Sequence, residues 1–543
     1  MDVGVLGRWA KPYLWLIVLG LISVAVSGAV TLLMLQQIQQ VAALWPSLDS
    51  TSWRDLALAV SLRACFGLLG AYGFGWLAAR ALTDYRQRLF IRLIQAPLSY
   101  HDQAWSANLV SALTNDAAFI QEVLGRVLPT LALHGPAVII VLGLLLQNNA
   151  PLLFGVLLVA GPLALGMASV GRRMRALTRH GQQLLGQTAI AAQESFGGVR
   201  FIKALTREDF FAERFANLTE KHFQSKRQLM FWQALLNNAT AVALLILGGW
   251  GAWLAGQQLS MSQTTAAALS TFAVYLAILA SSSLALIQAY ISIEPAIGAY
   301  QRLWQLSGQV SRSETSDGLD LTRTRGSLSL RDVTFEYPGR RVGVYGINLD
   351  IAAGETVALI GQNGAGKSTL IQLLLRFYTP QHGQICLDGH VAETVSLASW
   401  RRQFALVTRD PYIFDLSVAE NIRLGRPEAS QIEIERAAQA VQMHDYIAAL
   451  PQGYRSRVGE GGAQLSAGQR QRLALARIFL QDPAIIIFDE ATTSLDRESE
   501  QALMEALRLW AGQRTLVFVS HQPISAWQVS RVIYLEAGRL VRF

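Results

Sequence analysis

Hydrophobic positions along this chain follow two different rhythms. From Tyr13 to about Leu35 the residues are almost all apolar, and no charged residue occurs from Pro12 to Leu48. A second run extends roughly from Leu56 to Ala79, bounded by Arg54 and Asp55 on one side and Arg80 on the other, with Arg63 near its outer end. Residues 127–171 contain no Asp, Glu, Lys or Arg, about twice the length one membrane crossing needs, and Gln147-Asn-Asn-Ala-Pro151 interrupts them. Residues 228–293 repeat the arrangement, 66 positions without formal charge, broken at Gly256-Gln-Gln-Leu-Ser-Met-Ser-Gln263. A buried soluble core does not run charge-free for that distance. The pattern predicts six membrane helices, near 13–36, 56–80, 127–147, 151–171, 233–256 and 264–292.

Between the spans, residues 80–126 and 172–227 show helical apolar spacing among polar residues, which predicts membrane helices that continue well beyond the hydrocarbon. Residues 306–324 are small, polar and poor in apolar side chains, a linker composition that puts a domain boundary near residue 320. Beyond it the rhythm changes. Ser327 to Tyr337 alternates apolar and polar residues as a half-exposed strand does. Thr356-Val-Ala-Leu-Ile360, Ala484-Ile-Ile-Ile-Phe488 and Leu516-Val-Phe-Val519 read as buried strands, and Leu370 to Leu375 as a helix. The expectation is an all-α transmembrane domain over 1–320 and an α/β domain over 321–543.

Charge sharpens this division. The chain is 52% hydrophobic and only 15% charged over 543 residues, with a formal net charge of +8. Residues 1–323 carry 23 Lys and Arg against 16 Asp and Glu, a net +7; residues 324–543 carry 23 against 22, a net +1. A nucleic-acid binder concentrates its excess on a soluble domain, so this distribution argues for a bilayer partner and against nucleic acid. Eleven basic residues lie between Arg172 and Arg227 and five between Arg80 and Arg126, while the opposite side has little beyond Arg54. The positive-inside rule then places both termini and the two long loops in the cytoplasm. The first apolar run is too long for a signal-peptide core and lacks a small-residue cleavage site, so it reads as a retained helix, with no room for a peptidase domain ahead of it. Cys65 and Cys386 fall in different halves and read as packing residues, which leaves neither a disulfide framework nor a zinc cluster.

One stretch carries chemistry on its face. Gly361, Gln362, Asn363, Gly364, Ala365, Gly366, Lys367, Ser368 and Thr369 follow a strand and precede a helix, the context that makes the G-x-x-x-x-G-K-[ST] pattern a phosphate site. Glycines let the backbone curl so that N–H groups point inward, and the helix adds its positive end. Lys367 reaches the β- and γ-phosphates and the Ser368 hydroxyl ligates Mg²⁺. Downstream, the strand from Ala484 ends in Asp489 and Glu490. Asp489 enters the Mg²⁺ shell and Glu490 polarises the attacking water. Adjacent acids on a strand point to opposite sides, so the two are expected to divide these roles. The cofactors implied are ATP and Mg²⁺.

Further residues resemble the ABC transporter family. Leu465-Ser-Ala-Gly-Gln469 resembles the ABC signature LSGGQ, with Ala467 in place of its first glycine, and Val458 to Gln464 resembles the segment before it. Ser494-Leu-Asp496 resembles the dimer-contact loop, Ser520-His521 the switch histidine, and Tyr337 the aromatic that stacks on adenine. In the membrane half, Pro97-Leu-Ser-Tyr-His-Asp102 with Leu113-Thr-Asn-Asp116, and Glu194 to Lys203, resemble the exporter segments whose coupling helices dock on a nucleotide-binding domain. One position departs. Where the family usually has Gln, this chain reads Val407-Thr-Arg409-Asp-Pro411, and Arg409 can neither accept a hydrogen bond nor ligate a cation, though it can pair with phosphate.

The resemblance implies a half-transporter of the exporter type: six membrane helices fused to one nucleotide-binding domain in a bacterial inner or plasma membrane. In that family Ser466, Gly468 and Gln469 contact the γ-phosphate held by another subunit's phosphate loop. A second half-transporter is therefore the implied partner, and an intact Glu490 with a near-complete signature favours a homodimer. The function implied is ATP-driven export of an amphipathic or hydrophobic compound: a drug, lipid or peptide. Uptake of a siderophore-like ligand and a nucleotide-gated regulator or channel are the alternatives. Arg63 and His134 are candidate cavity residues for the substrate.

Overall fold

The computed structural model describes residues 13–43, 50–103, 106–148, 150–260, 266–309, 318–322, 324–339, 342–490, 510–521 and 529–541. It divides into two compact units: residues 1–94 with 104–311, and residues 95–103 with 312–543.

The first unit is helical. Its long helices are α1 (Leu14–Ala43), α2 (Ser50–Ile94), α3 (Leu128–Asn148), α4 (Ala150–Gly197), α5 (Glu208–Ser260) and α6 (Ala266–Gln309). Among the described residues five helical stretches are long and apolar enough to cross a membrane: 14–31, 53–94, 109–147, 208–250 and 273–303. The fourth expected span, 151–171, lies on α4, where most side chains fall outside the described residues. With 45 residues in α2, 48 in α4 and 53 in α5, these rods are about 65–80 Å long, more than twice a hydrocarbon core of about 30 Å. They therefore run on past the membrane.

Small residues let α1 and α2 pack against each other. A Cβ on Gly20 of α1 would lie 2.8 Å from the Phe74 ring of α2, and one on Gly70 would lie 3.3 Å from Val24. Glycine at these points lets two backbones approach where apolar burial alone gives no drive in lipid. Phe74, Leu77 and Val24 then form a buried cluster with Leu128, Ala132 and Leu133 of α3. Val141 and Leu145 of α3 pack with Leu247 of α5 and with Tyr275 and Leu279 of α6.

Polar contacts also join these helices. His134 Nδ1 lies 3.0 Å from Ser282 Oγ, and Arg63 Nε donates to Thr31 Oγ1 at 3.0 Å. Ahead of α3 the helix widens twice into π-turns, at Ala112–Asp116 and Val123–Val127. Arg86 of α2 donates to the carbonyls of Leu113 and Thr114 at 2.9 Å each. Asp116, in the same wide turn, is almost buried and accepts from Arg302 of α6, the shortest contact being 2.5 Å.

The second unit is built on two sheets. Strands β1 (Leu328–Glu336), β2 (Gly343–Ile351), β4 (His382–Leu387) and β5 (His390–Val391) form an antiparallel sheet in the order β2-β1-β4-β5. The other sheet has the order β10-β9-β3-β8-β7-β6. Its members are β3 (Thr356–Ile360), β6 (Phe404–Thr408), β7 (Ile485–Asp489), β8 (Thr515–Ser520), β9 (Arg531–Glu536) and β10 (Arg539–Val541). All its pairings are parallel except β9 with β10. Strands β3, β7 and β8 are buried along almost their whole length, as the continuous apolar runs predict for a parallel sheet covered on both faces. Residues 95–103 belong to this unit, and the Tyr378 hydroxyl donates to Asp102 at 2.5 Å.

Candidate functional site

The site forms at the carboxyl ends of parallel strands, the usual place for a ligand in an open α/β sheet. After β3 the chain turns through residues 361–366 into α7 (Lys367–Leu374). Gly364 and Gly366 have φ of +81° and +103°, a left-handed backbone that other L-residues resist. Gly361 is required by space, since a Cβ there would lie 2.4 Å from the Leu535 carbonyl oxygen. The turn ends with Gly366 as N-cap, leaving the first N–H groups of α7 facing the loop.

Lys367 is buried, and its Nζ donates to the carbonyls of Gly361 at 2.6 Å and Gln362 at 3.0 Å. These contacts hold the ammonium inside the loop, and phosphate oxygens are acceptors of the same kind. Ser368 is exposed beside it. Both line a cavity of about 590 Å³ with Tyr337, Val342, Asn363, Gly364, Thr408, Arg409, Asp410, Asp489 and Glu490.

Strand alternation would put the two acids on opposite sides, yet both line one cavity. Strand β7 ends at Asp489, and Glu490 has φ +48°, so it leaves the strand in a left-handed turn and lines the same cavity. Its N–H donates to the Val519 carbonyl at 3.0 Å, which fixes the turn. Burial and the neighbouring Glu490 carboxylate push Asp489 above the usual carboxylate range, with Lys367 pulling the other way. A divalent cation relieves this like-charge contact. Ser368 and Asp489 are oxygen donors suited to Mg²⁺, which takes one or two protein ligands and completes its shell with phosphates and water. The donor chemistry therefore fits the metal that the sequence implies. His521, just past β8, has Nδ1 3.5 Å from Glu490 Oε1.

Tyr337 is fixed by aromatic and polar neighbours. Its ring meets Phe335 edge-on with centroids 5.0 Å apart and Tyr378 at 5.3 Å, and its hydroxyl donates to Gln372 of α7. The ring therefore stands at the cavity edge with its orientation set.

Ser466, Gly468 and Gln469 lie elsewhere. Ser466 caps α8 (Ala467–Gln481) in a capping box: its Oγ accepts from the Gln469 N–H at 3.2 Å, and Gln469 Oε1 accepts from the Ser466 N–H at 2.9 Å. These residues are not in the cavity lining. Ser494-Leu-Asp496 falls outside the described residues.

Two participants escape a reading of the sequence. Arg477 of α8 donates to the Asn421 carbonyl at 2.9 Å, Asn421 Oδ1 at 2.5 Å and the Tyr412 carbonyl at 2.7 Å. Asn421 is fully buried and holds the backbone of Phe414. The loop that begins at Arg409 is thus tied to the helix that Ser466 caps. Burial lowers Arg477 to about 10, so it remains charged at neutral pH. The only signal was an Arg and an Asn within otherwise apolar faces. Thr408 and Asp410, which flank Arg409 in the stretch Val407–Pro411, complete the cavity wall.

Comparison with known proteins follows the same division. Residues 14–283 match the ABC transporter transmembrane region family, and residues 344–493 match the ABC transporter family. An ATP-dependent lipid A-core flippase of Thiobacillus denitrificans is 33% identical over 88% of this chain and 83% of its own length. One from Ralstonia nicotianae is 31% identical over 90% and 84%. A bacterial Atm1-family ABC exporter solved with ATP bound superposes with a TM-score of 0.80 at 25% identity, covering 100% of this chain and 95% of that one. Its transmembrane helices make the chain an integral multi-pass membrane protein, and its second unit binds ATP. Half-transporters of this kind work as dimers. The chain belongs to the ABC transporter family, as an exporter-type half-transporter whose ATP hydrolysis drives transport across a membrane.

Proposed function

We propose that two copies of this chain export an amphipathic, lipid-like compound from the inner membrane of a bacterium, with the nucleotide-binding half and both termini in the cytoplasm. The observation that carries the reading is the pairing of one cavity with one kind of membrane half. The cavity brings Lys367, Ser368, Asp489 and Glu490 together. The membrane half lacks fixed charge over 127–171 and 228–293. A highly charged solute would find few partners there, whereas acyl chains need none. Relatives named for lipid A-core flipping point to the same class.

Within each site the residues divide the work. Tyr337 stacks on adenine. The loop 361–369 wraps the phosphates, with Lys367 leaving the Gly361 and Gln362 carbonyls for phosphate oxygens. Ser368 and Asp489 would hold Mg²⁺, which would neutralise phosphate charge. Glu490 orients water and accepts its proton, and His521 steadies the γ-phosphate from the next strand. Ser466, Gly468 and Gln469 of the second copy close the site, which accounts for their position outside the cavity lining. Closure is favoured because ligand binds the closed pair better than the open one. Residues 95–103, held by Tyr378, pass that change toward the membrane helices.

Inside-out vesicles carrying the wild-type chain will accumulate a fluorescent lipid-like probe in an ATP-dependent, vanadate-sensitive way. The Glu490→Gln variant will slow transport by roughly 10²-fold or more, the contribution of a lost general base. Equal uptake by the two would sink the proposal, and ATP-driven movement out of the vesicle lumen would reverse its direction.

A further inference from the structure

We propose that Arg409 grips the terminal phosphates and supplies positive charge that makes nucleotide binding largely independent of Mg²⁺. The inference rests on residues 361–369 being the phosphate loop.

Its placement comes from strand register. Thr408, the last residue of β6, pairs with Asp489, the last residue of β7. Arg409 and Glu490 are therefore the residues that immediately follow the ends of two paired parallel strands. Both line the cavity that Lys367 and Ser368 enter. The loop beyond Arg409 is anchored through Tyr412 and Phe414 to Arg477 and Asn421, so the guanidinium departs from a fixed backbone.

The side chain is also uncommitted. It is exposed, and no hydrogen bond or ion pair joins it to a described residue. Four arginines of this unit that have a carboxylate within reach do pair with it: Arg331 with Asp350, Arg457 with Asp415, Arg514 with Asp482 and Arg531 with Glu355. Arg409 shares the cavity wall with the carboxylates of Asp410, Asp489 and Glu490, yet forms no ion pair with any of them. A guanidinium left open beside a phosphate loop suits a planar, bidentate contact with an oxyanion.

Charge gives the consequence. The ionisable residues lining the cavity are Lys367 and Arg409 against Asp410, Asp489 and Glu490. That is two cations and three carboxylates, a net −1; without Arg409 the wall carries −2. Metal-free ATP brings about four negative charges of its own, so each cation in the wall weighs heavily at short range. Arginine has no acceptor and cannot ligate Mg²⁺. Its effect is to replace the charge of the ion, not to hold it. Gln at this position, the usual family residue, would leave that charge to the metal alone.

The test measures binding and needs no turnover. The full-length chain in lipid nanodiscs is titrated with the fluorescent analogue TNP-ATP, once with Mg²⁺ and once with EDTA. Wild-type affinity should fall less than about threefold when the metal is removed. Arg409→Gln should lose roughly tenfold or more in EDTA, the size of one charge-assisted hydrogen bond, and less than about threefold with Mg²⁺. Arg409→Lys, which keeps the charge in a less demanding shape, should retain most of the metal-free binding. The proposal is overturned if wild type and Arg409→Gln show the same ratio of affinities with and without metal. It is equally overturned if Arg409→Lys behaves as Arg409→Gln does. Lys367→Ala separates this failure from failure of the underlying reading: if it binds probe like wild type, residues 361–369 are not the phosphate loop.

Discussion

At the residue scale the site is decided by backbone conformation as much as by side-chain type. Glu490 joins Asp489 in one cavity only because its φ of +48° ends the strand. A second residue with positive φ, Asp388, shows the same dependence on local geometry. Burial works against its charge, but the Ser327 N–H and hydroxyl, each 2.8 Å away, and the N–H groups of Arg325 and Gly326 outweigh it and lower its pKa. A carboxylate held below its ordinary value of 3.8 adds stability above that pH and loses it as pH falls through the lowered value. Asp388→Asn should therefore melt roughly 3–10 °C below wild type at pH 7, with the gap closing as acidification approaches and passes that range. A gap that stays constant with pH would rule out the charge as its source. Lys367 and Ser368 were legible in the sequence because a strand–loop–helix rhythm surrounds them, and Asp489 because it ends a continuous apolar run. The shared orientation of Asp489 and Glu490 was not, since strand alternation holds only while the strand continues.

At the element scale, long-range periodicity was the most readable feature and local irregularity the least. The charge-free runs announced the membrane helices, and the alternating and continuous apolar stretches announced β1, β3, β7 and β8. Nothing in the pattern announced the π-turns at Ala112–Asp116 and Val123–Val127, because a π-turn changes hydrogen-bond partners without changing the apolar period much. Arg86 shows how the first is held: it caps two carbonyls of the widened turn. The grouping of residues 95–103 with the second unit was absent from the apolar pattern and was anticipated only by the resemblance of Pro97–Asp102 to a coupling segment, since the contact that shows it lies nearly three hundred residues away. Among the described residues of that unit Trp400 is the largest fully buried side chain, and its indole N–H donates to the Leu374 carbonyl at the end of α7 at 2.7 Å. It thus packs the core beneath the phosphate-bearing helix. Trp400→Ala should destabilise the unit by about 3–5 kcal/mol, and Trp400→Phe by less, as thermal melts of the purified chain will report. A melting point within a degree of wild type for the alanine variant would show that this packing contributes little.

For the whole molecule the central claim is that each nucleotide site is shared between two copies of the chain. Within one copy the cavity holds Lys367, Ser368, Asp489 and Glu490, while Ser466 and Gln469 are engaged with each other in a capping box elsewhere. Complementation between two damaged chains tests this most directly. Lys367→Ala and Ser466→Ala each remove hydrolysis when present in both subunits. In a mixed dimer, one shared site would carry both lesions and the other would carry none. Co-expressed and co-purified mixed dimers should then recover ATPase activity to roughly half the wild-type value, since a shared arrangement rebuilds one of two sites. If each chain completes its own site, every site in the mixed dimer keeps one lesion. Activity no higher than that of the single-variant dimers would contradict the account.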